Sequence, residues 1–273
     1  MERKYEFTDE TRVFYGQTLR RIVAVRDFCG IKKGAKGGFI QHEGNLSHNG
    51  SCWVYDNAMV FNEAKVTDNA RVREYAAVYD FAKVSGYANV YGDARVYGWA
   101  KVSGRANVFD NAEVSENAEV YDMAQVHGSA KVTGNAKVFT SAHIFGRACI
   151  FSDALILDKA KVYGDATVHG KAKVFGSVEL CGNVDIDGTA TISSNRDYIV
   201  FKNWWSDGEY FTWTRSNNLW KVGAFYGSST DLLREAKLYS EESWEEYARL
   251  VRYVMEIQQA EAIRQLRVNP VSN

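Results

Sequence analysis

The sequence predicts a mainly β fold, a solenoid wound from short parallel strands. Alanine occupies every sixth position from Ala58 to Ala172, and an aliphatic residue follows each alanine by two positions, as Val96 follows Ala94. Residues two apart share one face of a strand, whereas a helix would need a spacing of three or four. Glycine occurs 22 times and proline once, which is typical of turns that depend on positive φ.

The six-residue unit, Ala-x-Val-x-Gly/Asp-x, also explains why the chain turns so often. Gly, Asp or Asn comes after each short strand, as Gly98 does after Val96, and these residues tolerate left-handed turn conformations. We expect three units per coil, so that residues 18 apart lie on neighbouring coils about 4.8 Å apart. One unit buries very little, so stability must come from stacking and the ends need caps.

The flanking segments lack the full repeat. We predict an N-terminal β cap over residues 1–50, the solenoid over 51–193, and a C-terminal module over 194–273. Within the module, alternating aromatic and polar residues predict three strands, and an apolar stripe predicts the longer of two helices. The predicted strands are 198–201, 210–214 and 219–225, and the predicted helices are 230–239 and 242–267.

Hexads such as Ala94-Arg-Val96-Tyr-Gly98-Trp resemble those of the left-handed parallel β-helix, the hexapeptide-repeat superfamily. The resemblance covers roughly residues 40–193 and implies a triangular, left-handed, single-stranded coil. This sequence departs from the family in one respect, because the family's usual glycine follows the aliphatic residue directly. The terminal segments, KYEFTDETR and YFTWTRSNNLWKVGAFYG, are similar to uncharacterised phage and prophage hexapeptide-repeat proteins, which implies an accessory role directed at a host factor, such as inhibition of host defence.

Composition and charge narrow the function classes. The formal net charge is −1 at neutral pH, so the molecule as a whole has no field that would draw it to nucleic acid or to a membrane. No secretory signal and no long apolar run is visible, which predicts a cytoplasmic protein, in the host cytoplasm if a phage encodes it, without a membrane partner. The cysteines are scattered without metal-ligand spacing, so we predict neither a metal site nor a cofactor.

The resemblance to hexapeptide acyltransferases supplies an enzymatic alternative. Such enzymes bind an acyl-CoA, for example acetyl-CoA, between adjacent solenoids and use a histidine as general base. The outward candidates here are His127, His143 and His169. These transferases usually carry a loop that closes over the site, whereas the hexads between Val54 and Val174 are uninterrupted, which favours surface histidines instead.

Outward lysines recur at the expected period of one coil and suggest a second alternative. The column consists of Lys65, Lys83, Lys101, Lys137 and Lys173. Glu119 and Leu155 interrupt it. Such a stripe could follow the phosphates of a nucleic acid or nucleotide, although a solvated surface balanced by acidic turn residues is the simpler explanation.

Aromatic residues form two further groups. Rings that follow the inward aliphatic residue, such as Tyr91, Phe109 and Phe145, should stack between coils, and exposed ladders would favour a homo-oligomer, with a trimer as one option. The C-terminal module concentrates aromatic and cationic residues that suit binding a protein or a base. These candidate binding residues are Trp204, Trp205, Trp213, Arg215 and Trp220. The leading hypothesis is therefore a non-enzymatic binding or scaffold protein.

Overall fold

The computed structural model describes residues 2–203 and 208–268. The chain divides into two compact units, Met1–Tyr198 and Ile199–Asn273. The first unit is a parallel β-solenoid of about nine turns, in agreement with the fold class that the repeat predicts. Each turn contributes one short strand to each of three sheets. One turn is 18 residues long, because Lys101 pairs with Glu119 on the next turn.

The three sheets form three outer faces. The hairpin face contains the strands Lys36–Ile40, Met59–Val60, Ala77–Val78, Arg95–Val96, Glu113–Val114, Lys131–Val132, Cys149–Ile150, Thr167–Val168 and Asp185–Ile186. The lysine face contains Lys65–Val66, Lys83–Val84, Lys101–Val102, Glu119–Val120, Lys137–Val138, Leu155–Ile156, Lys173–Val174 and Thr191–Ile192. The histidine face contains Trp53–Val54, Arg71–Val72, Asn89–Val90, Asn107–Val108, Gln125–Val126, His143–Ile144, Lys161–Val162 and Glu179–Leu180.

The interior consists of the two periodic columns. Side chains such as Ala118 and Val120 are completely buried, and the same holds for their counterparts in the neighbouring coils. Each buried aliphatic side chain contributes about 1.5–3 kcal/mol, and the small alanine lets the three walls approach each other. Backbone N–H groups of one coil donate to carbonyls of the next, as Lys101 N does to Ala118 O at 2.9 Å. Stacking therefore satisfies both the apolar and the polar requirements of a strand too short to be stable alone.

The turns between strands use positive φ at the fifth position of the hexad. This position holds glycine or, often, an acidic residue, such as Asp110 with φ of 57°. The acidic side chains reach the next coil, because the Asp110 carboxylate accepts a hydrogen bond from Gly128 N at 3.1 Å. Asp56 does the same for Glu74 N at 3.2 Å, which gives this pair of acids a role in the turn.

The N-terminal segment joins the hairpin face. Strands Tyr5–Phe14 and Gln17–Ala24 form an antiparallel hairpin that pairs with Lys36–Ile40. Parallel stacking already begins at Phe39, which lies opposite Met59, so the first coil spans 20 residues and stacking starts before residue 51. A short 3-10 helix, Glu43–Asn45, lies inside this first coil and is capped by His42.

A buried lysine closes the N-terminal end of the stack. The Lys4 ammonium is completely buried and donates to Cys52 O at 2.8 Å. Among the described residues, no strand precedes Trp53–Val54 in its sheet to supply the backbone N–H that bonds the equivalent carbonyl in later coils. The Lys4 ammonium takes the place of that N–H. Burial lowers the pKa of Lys4, and its interactions with the Cys52 thiol partly oppose that effect.

The second unit combines an antiparallel sheet with two helices. Its strands are Tyr198–Lys202, Tyr210–Thr214, Leu219–Val222 and Phe225–Gly227, and its helices are Ser229–Tyr239 and Glu241–Val268. The third segment expected from the sequence is thus two strands, which pair as an antiparallel hairpin across a turn at Gly223, where φ is 50°. Ser228 caps the first helix by accepting from Asp231 N. In the part of the chain that the structure describes, no helix has the length and apolarity needed to cross a membrane.

Candidate functional site

The predicted lysine column lies in register on the lysine face. Lys65 pairs with Lys83, and Lys83 with Lys101. Glu119 and Leu155, which interrupt the column, lie in register with the lysines. Glu119 pairs with Lys101 and Lys137, and Leu155 pairs with Lys137. The column is therefore a structural feature, although its members differ in their electrostatic surroundings.

Glu119 holds two of the lysines. Its carboxylate oxygens lie 2.8 Å from Lys101 Nζ and 3.1 Å from Lys137 Nζ. The hydrogen bond from Lys101, followed by that from Lys137, holds the pKa of Glu119 below its ordinary value. Both lysine side chains remain about half exposed, at 56% and 45%. Among residues 2–203, Lys83 forms no ion pair. The four column positions Lys83, Lys101, Glu119 and Lys137 together carry three positive charges and one negative charge.

A pair of exposed aromatic rings adjoins these lysines. Phe81 and Trp99 occupy the last position of their hexads, two residues before Lys83 and Lys101. Their rings stack with centroids 4.2 Å apart and an angle of 5° between planes. They are 44% and 58% exposed, so this ring pair presents apolar surface to solvent.

Amide side chains continue the same corner beyond the rings. Asn117 and Asn135 take the positions that Phe81 and Trp99 hold in earlier coils. Asn117 Nδ2 donates to Asn135 Oδ1 at 3.2 Å, and Asn135 Nδ2 donates to Asp153 Oδ1 at 2.9 Å. The corner thus changes from aromatic to polar within one coil.

The rings, amides and lysines together line one groove of about 410 Å³. We call it the lysine groove, and it is lined by Phe81, Lys83, Trp99, Lys101, Asn117, Glu119, Asn135 and Lys137. A surface that combines exposed rings, uncharged hydrogen-bonding groups and excess positive charge is suited to a flat anionic ligand. Sequence reasoning identified the lysines but not Phe81, Trp99 or the asparagines, although the period of 18 at the last hexad position places them in one column.

The first two histidine candidates lie together on the histidine face and its corner. His127 is one ring of a ladder, stacked between Phe109 at 4.6 Å and Phe145 at 5.1 Å. His143 projects from a strand of the face and pairs with Gln125 and Lys161 on the neighbouring coils. Burial lowers the pKa of both imidazoles. For His143, the Lys161 ammonium lowers it further.

His169 lies elsewhere and is fully engaged. Its Nε2 is 2.8 Å from Asp185 Oδ1, and its Nδ1 is 3.2 Å from Asp187 Oδ1. Its ring stacks on Phe151 at 4.6 Å. Because both ring nitrogens face carboxylates, His169 has a clear structural role near the last coils, whereas His127 and His143 retain partly exposed rings.

Of the C-terminal candidates, the structure describes Trp213, Arg215 and Trp220. Trp213 and Trp220 are 1% and 0% exposed and belong to the core of the second unit, so the expectation that they face a ligand is corrected to a packing role. Arg215 forms an ion pair with Glu261 at 2.6 Å. Trp204 and Trp205 lie outside the described residues.

Comparisons with known proteins give one partial likeness. No protein-family model matches the chain. A stretch of 62 residues is 39% identical to an uncharacterised acetyltransferase, YdcK, of Escherichia coli strain K12. The match covers 20% of this chain and 19% of that protein, so the chain spans about a fifth of the length of the relative it matches.

Proposed function

We propose that this protein is a non-enzymatic binding protein whose solenoid presents the lysine groove to a negatively charged ligand. The observation that supports the proposal most strongly is the placement of the exposed Trp99 ring directly beside Lys83 and Lys101. A groove built only for solubility would need the charges but not a large exposed indole, because exposed apolar surface costs free energy unless a ligand covers it.

The rigidity of the solenoid supports a scaffold role for the same molecule. Every lining residue of the groove lies in a strand, or two residues before a strand, that is bonded to two neighbouring coils. For example, Lys101–Val102 is bonded to Lys83–Val84 and to Glu119–Val120. Groups fixed in this way lose little conformational freedom on binding, which favours affinity. The exposed corner rings Tyr75 and Tyr87, at 58% and 62%, are further surface that a homo-oligomer, such as a trimer, would cover. A phage accessory role against a host factor in the cytoplasm remains a prediction from the terminal segments.

Charge reversal tests the binding function. The double variant Lys83→Glu, Lys101→Glu should lose binding of inorganic tripolyphosphate, measured by isothermal titration calorimetry. The wild type should bind tripolyphosphate, and its affinity should fall as the salt concentration rises and screens the lysines. The matched control changes Lys131→Glu and Lys161→Glu, which lie on the other two faces. It makes the same change in net charge. Equal binding by both double variants, or no binding by the wild type, would refute the proposal.

A hexapeptide-type acyltransferase is the second candidate. The likeness to an acetyltransferase favours it, and so does His143, whose lowered pKa keeps the imidazole neutral near pH 7, as a general base must be. An acyl-transfer assay with acetyl-CoA, combined with titration of the histidine variants, distinguishes the candidates. An enzyme should bind acetyl-CoA, and its His143→Ala variant should lose acyl transfer. A non-enzymatic binding protein should transfer no acyl group, and replacement of His143 or His127 by alanine should leave its affinity for acetyl-CoA unchanged.

A further inference from the structure

We propose that the lysine groove binds a nucleotide, with the base stacked on Trp99 as the next ring of the ladder and the phosphates held by Lys101 and Lys137. This inference rests on the proposed binding function and adds the chemical class of the ligand. It follows from one interruption in the aromatic corner and from the charges beside it.

The ring ladder at this corner stops while one face of its last ring is still open. On the histidine face, the rings of Phe109, His127, Phe145 and Tyr163 stack without a break at 4.6–5.1 Å. At the lysine groove the stack is only Phe81 and Trp99 among the described residues, because the next coil has Asn117 at the ring position. Phe81 covers one face of the indole, and the shorter asparagine leaves space for a planar group against the other. Every nucleobase has such a face, and stacking on an aromatic side chain tolerates all of them.

Amide groups lie at the height where the edge of that base would be. Asn117 uses one N–H for Asn135 Oδ1, and its carboxamide oxygen has no partner among residues 2–203. An asparagine carboxamide offers both a donor and an acceptor, which is the pattern that base edges require. The edge contact therefore favours a base over a plain aromatic acid.

The charges beside the ring suit more than one phosphate. Lys101 and Lys137 approach opposite oxygens of Glu119, so their ammonium groups lie on either side of a single carboxylate. A ligand must compete with that carboxylate for both lysines. Polyphosphates carry more charge than Glu119, so a nucleoside triphosphate should compete better than a monophosphate.

One nucleotide fits this surface better than a single strand of nucleic acid. A strand needs several stacking platforms along its path. Here the groove offers one ring pair, and Leu155 interrupts the lysine column beyond Lys137. The volume of about 410 Å³ also lies in the range of sites for small ligands. The nucleotide could be free or could be the adenosine diphosphate portion of a coenzyme A, since both present a base beside phosphates.

Calorimetric titration of the full chain with ATP, inorganic tripolyphosphate, adenosine and coenzyme A tests the inference. Trp99→Ala should weaken ATP binding about tenfold, since one stacked base contributes roughly that much, and should leave tripolyphosphate binding unchanged. Glu119→Gln should strengthen ATP binding by about two- to fivefold, because it frees two exposed lysines from an ion pair. Tyr87→Ala is the matched control, an equally exposed ring at another corner, and should bind ATP as the wild type does.

The outcomes separate this inference from the binding function. If tripolyphosphate binds as tightly as ATP and Trp99→Ala changes neither, the groove binds anions and the nucleotide assignment is wrong. If neither ligand binds the wild type, both proposals fail. Tighter binding of a single-stranded oligonucleotide, independent of Trp99, also overturns the assignment. Preference for coenzyme A over ATP, lost in Trp99→Ala, supports the site and identifies the source of the nucleotide.

Discussion

Gly104→Ala is the change that tests the close stacking of the turns most sharply. Gly104 has φ of 67°, and a Cβ built on it would lie 2.7 Å from Asp122 N and 2.9 Å from Asp122 Cα on the next coil. Both contacts are with backbone atoms, so the turn at Gly104 must shift before a methyl group fits. Two costs therefore add, the left-handed conformation of an alanine and the contact with the neighbouring turn.

Gly182 supplies a control that carries only one of those costs. Its φ is 68°, almost the same as at Gly104. Apart from its chain neighbours, no atom of the described residues lies within 4 Å of a Cβ placed there. The conformational cost of about 1 kcal/mol is common to both substitutions. The contact should add about 1–3 kcal/mol at Gly104, which is typical of overpacking at a close-packed site.

Urea unfolding followed by circular dichroism measures the difference. We expect Gly182→Ala to lower the free energy of unfolding by about 1 kcal/mol and Gly104→Ala to lower it by about 2–4 kcal/mol. Equal losses in the two variants would refute the close approach of successive turns. Because a local change in a stacked repeat can unfold only its neighbours, amide hydrogen exchange around Asp122 should show the same order.

Two further predictions depend on pH. Burial holds the pKa of Lys4 below its ordinary 10.5, so the unfolded chain binds more protons at alkaline pH and the wild type gains stability as pH rises. Lys4→Met lacks that gain, so its melting temperature should fall further behind the wild type between about pH 7 and about pH 10, and a constant gap would contradict the assignment. Burial likewise holds the pKa of His127 below 6.5, so stability is lost as pH falls through that value. His127→Phe continues the ring ladder and should show a smaller drop in melting temperature between about pH 7.5 and about pH 5.5, whereas an unchanged drop would show that His127 does not contribute.

The solenoid could be predicted from the sequence because every hexad has the same surroundings. An inward alanine such as Ala118 and an inward valine such as Val120 repeat the same contacts coil after coil, so the pattern itself specifies the fold. The lysine column could also be predicted, because residues 18 apart lie on neighbouring coils. The first coil was harder to recognise, since Phe39 stacks on Met59 across 20 residues and therefore falls out of phase with the repeat.

The groove needed the structure, because its essential members look like ordinary turn residues. Phe81, Trp99 and Asn117 occupy a hexad position that otherwise varies freely, and only the corner geometry brings two rings to 4.2 Å. In the C-terminal module, the sequence pattern suggested binding residues where the structure has packing residues. Phe211, Thr212, Trp213 and Thr214 are all buried, so the strand has no polar face whose alternation could separate packing residues from binding residues.

The most direct test of the account is a crystal structure of the protein grown with saturating ATP. We expect electron density for the base against the free face of Trp99, with the phosphates between Lys101 and Lys137. Density for the nucleotide beside His143 instead, or a lysine groove that stays empty while ATP occupies another face, would contradict it.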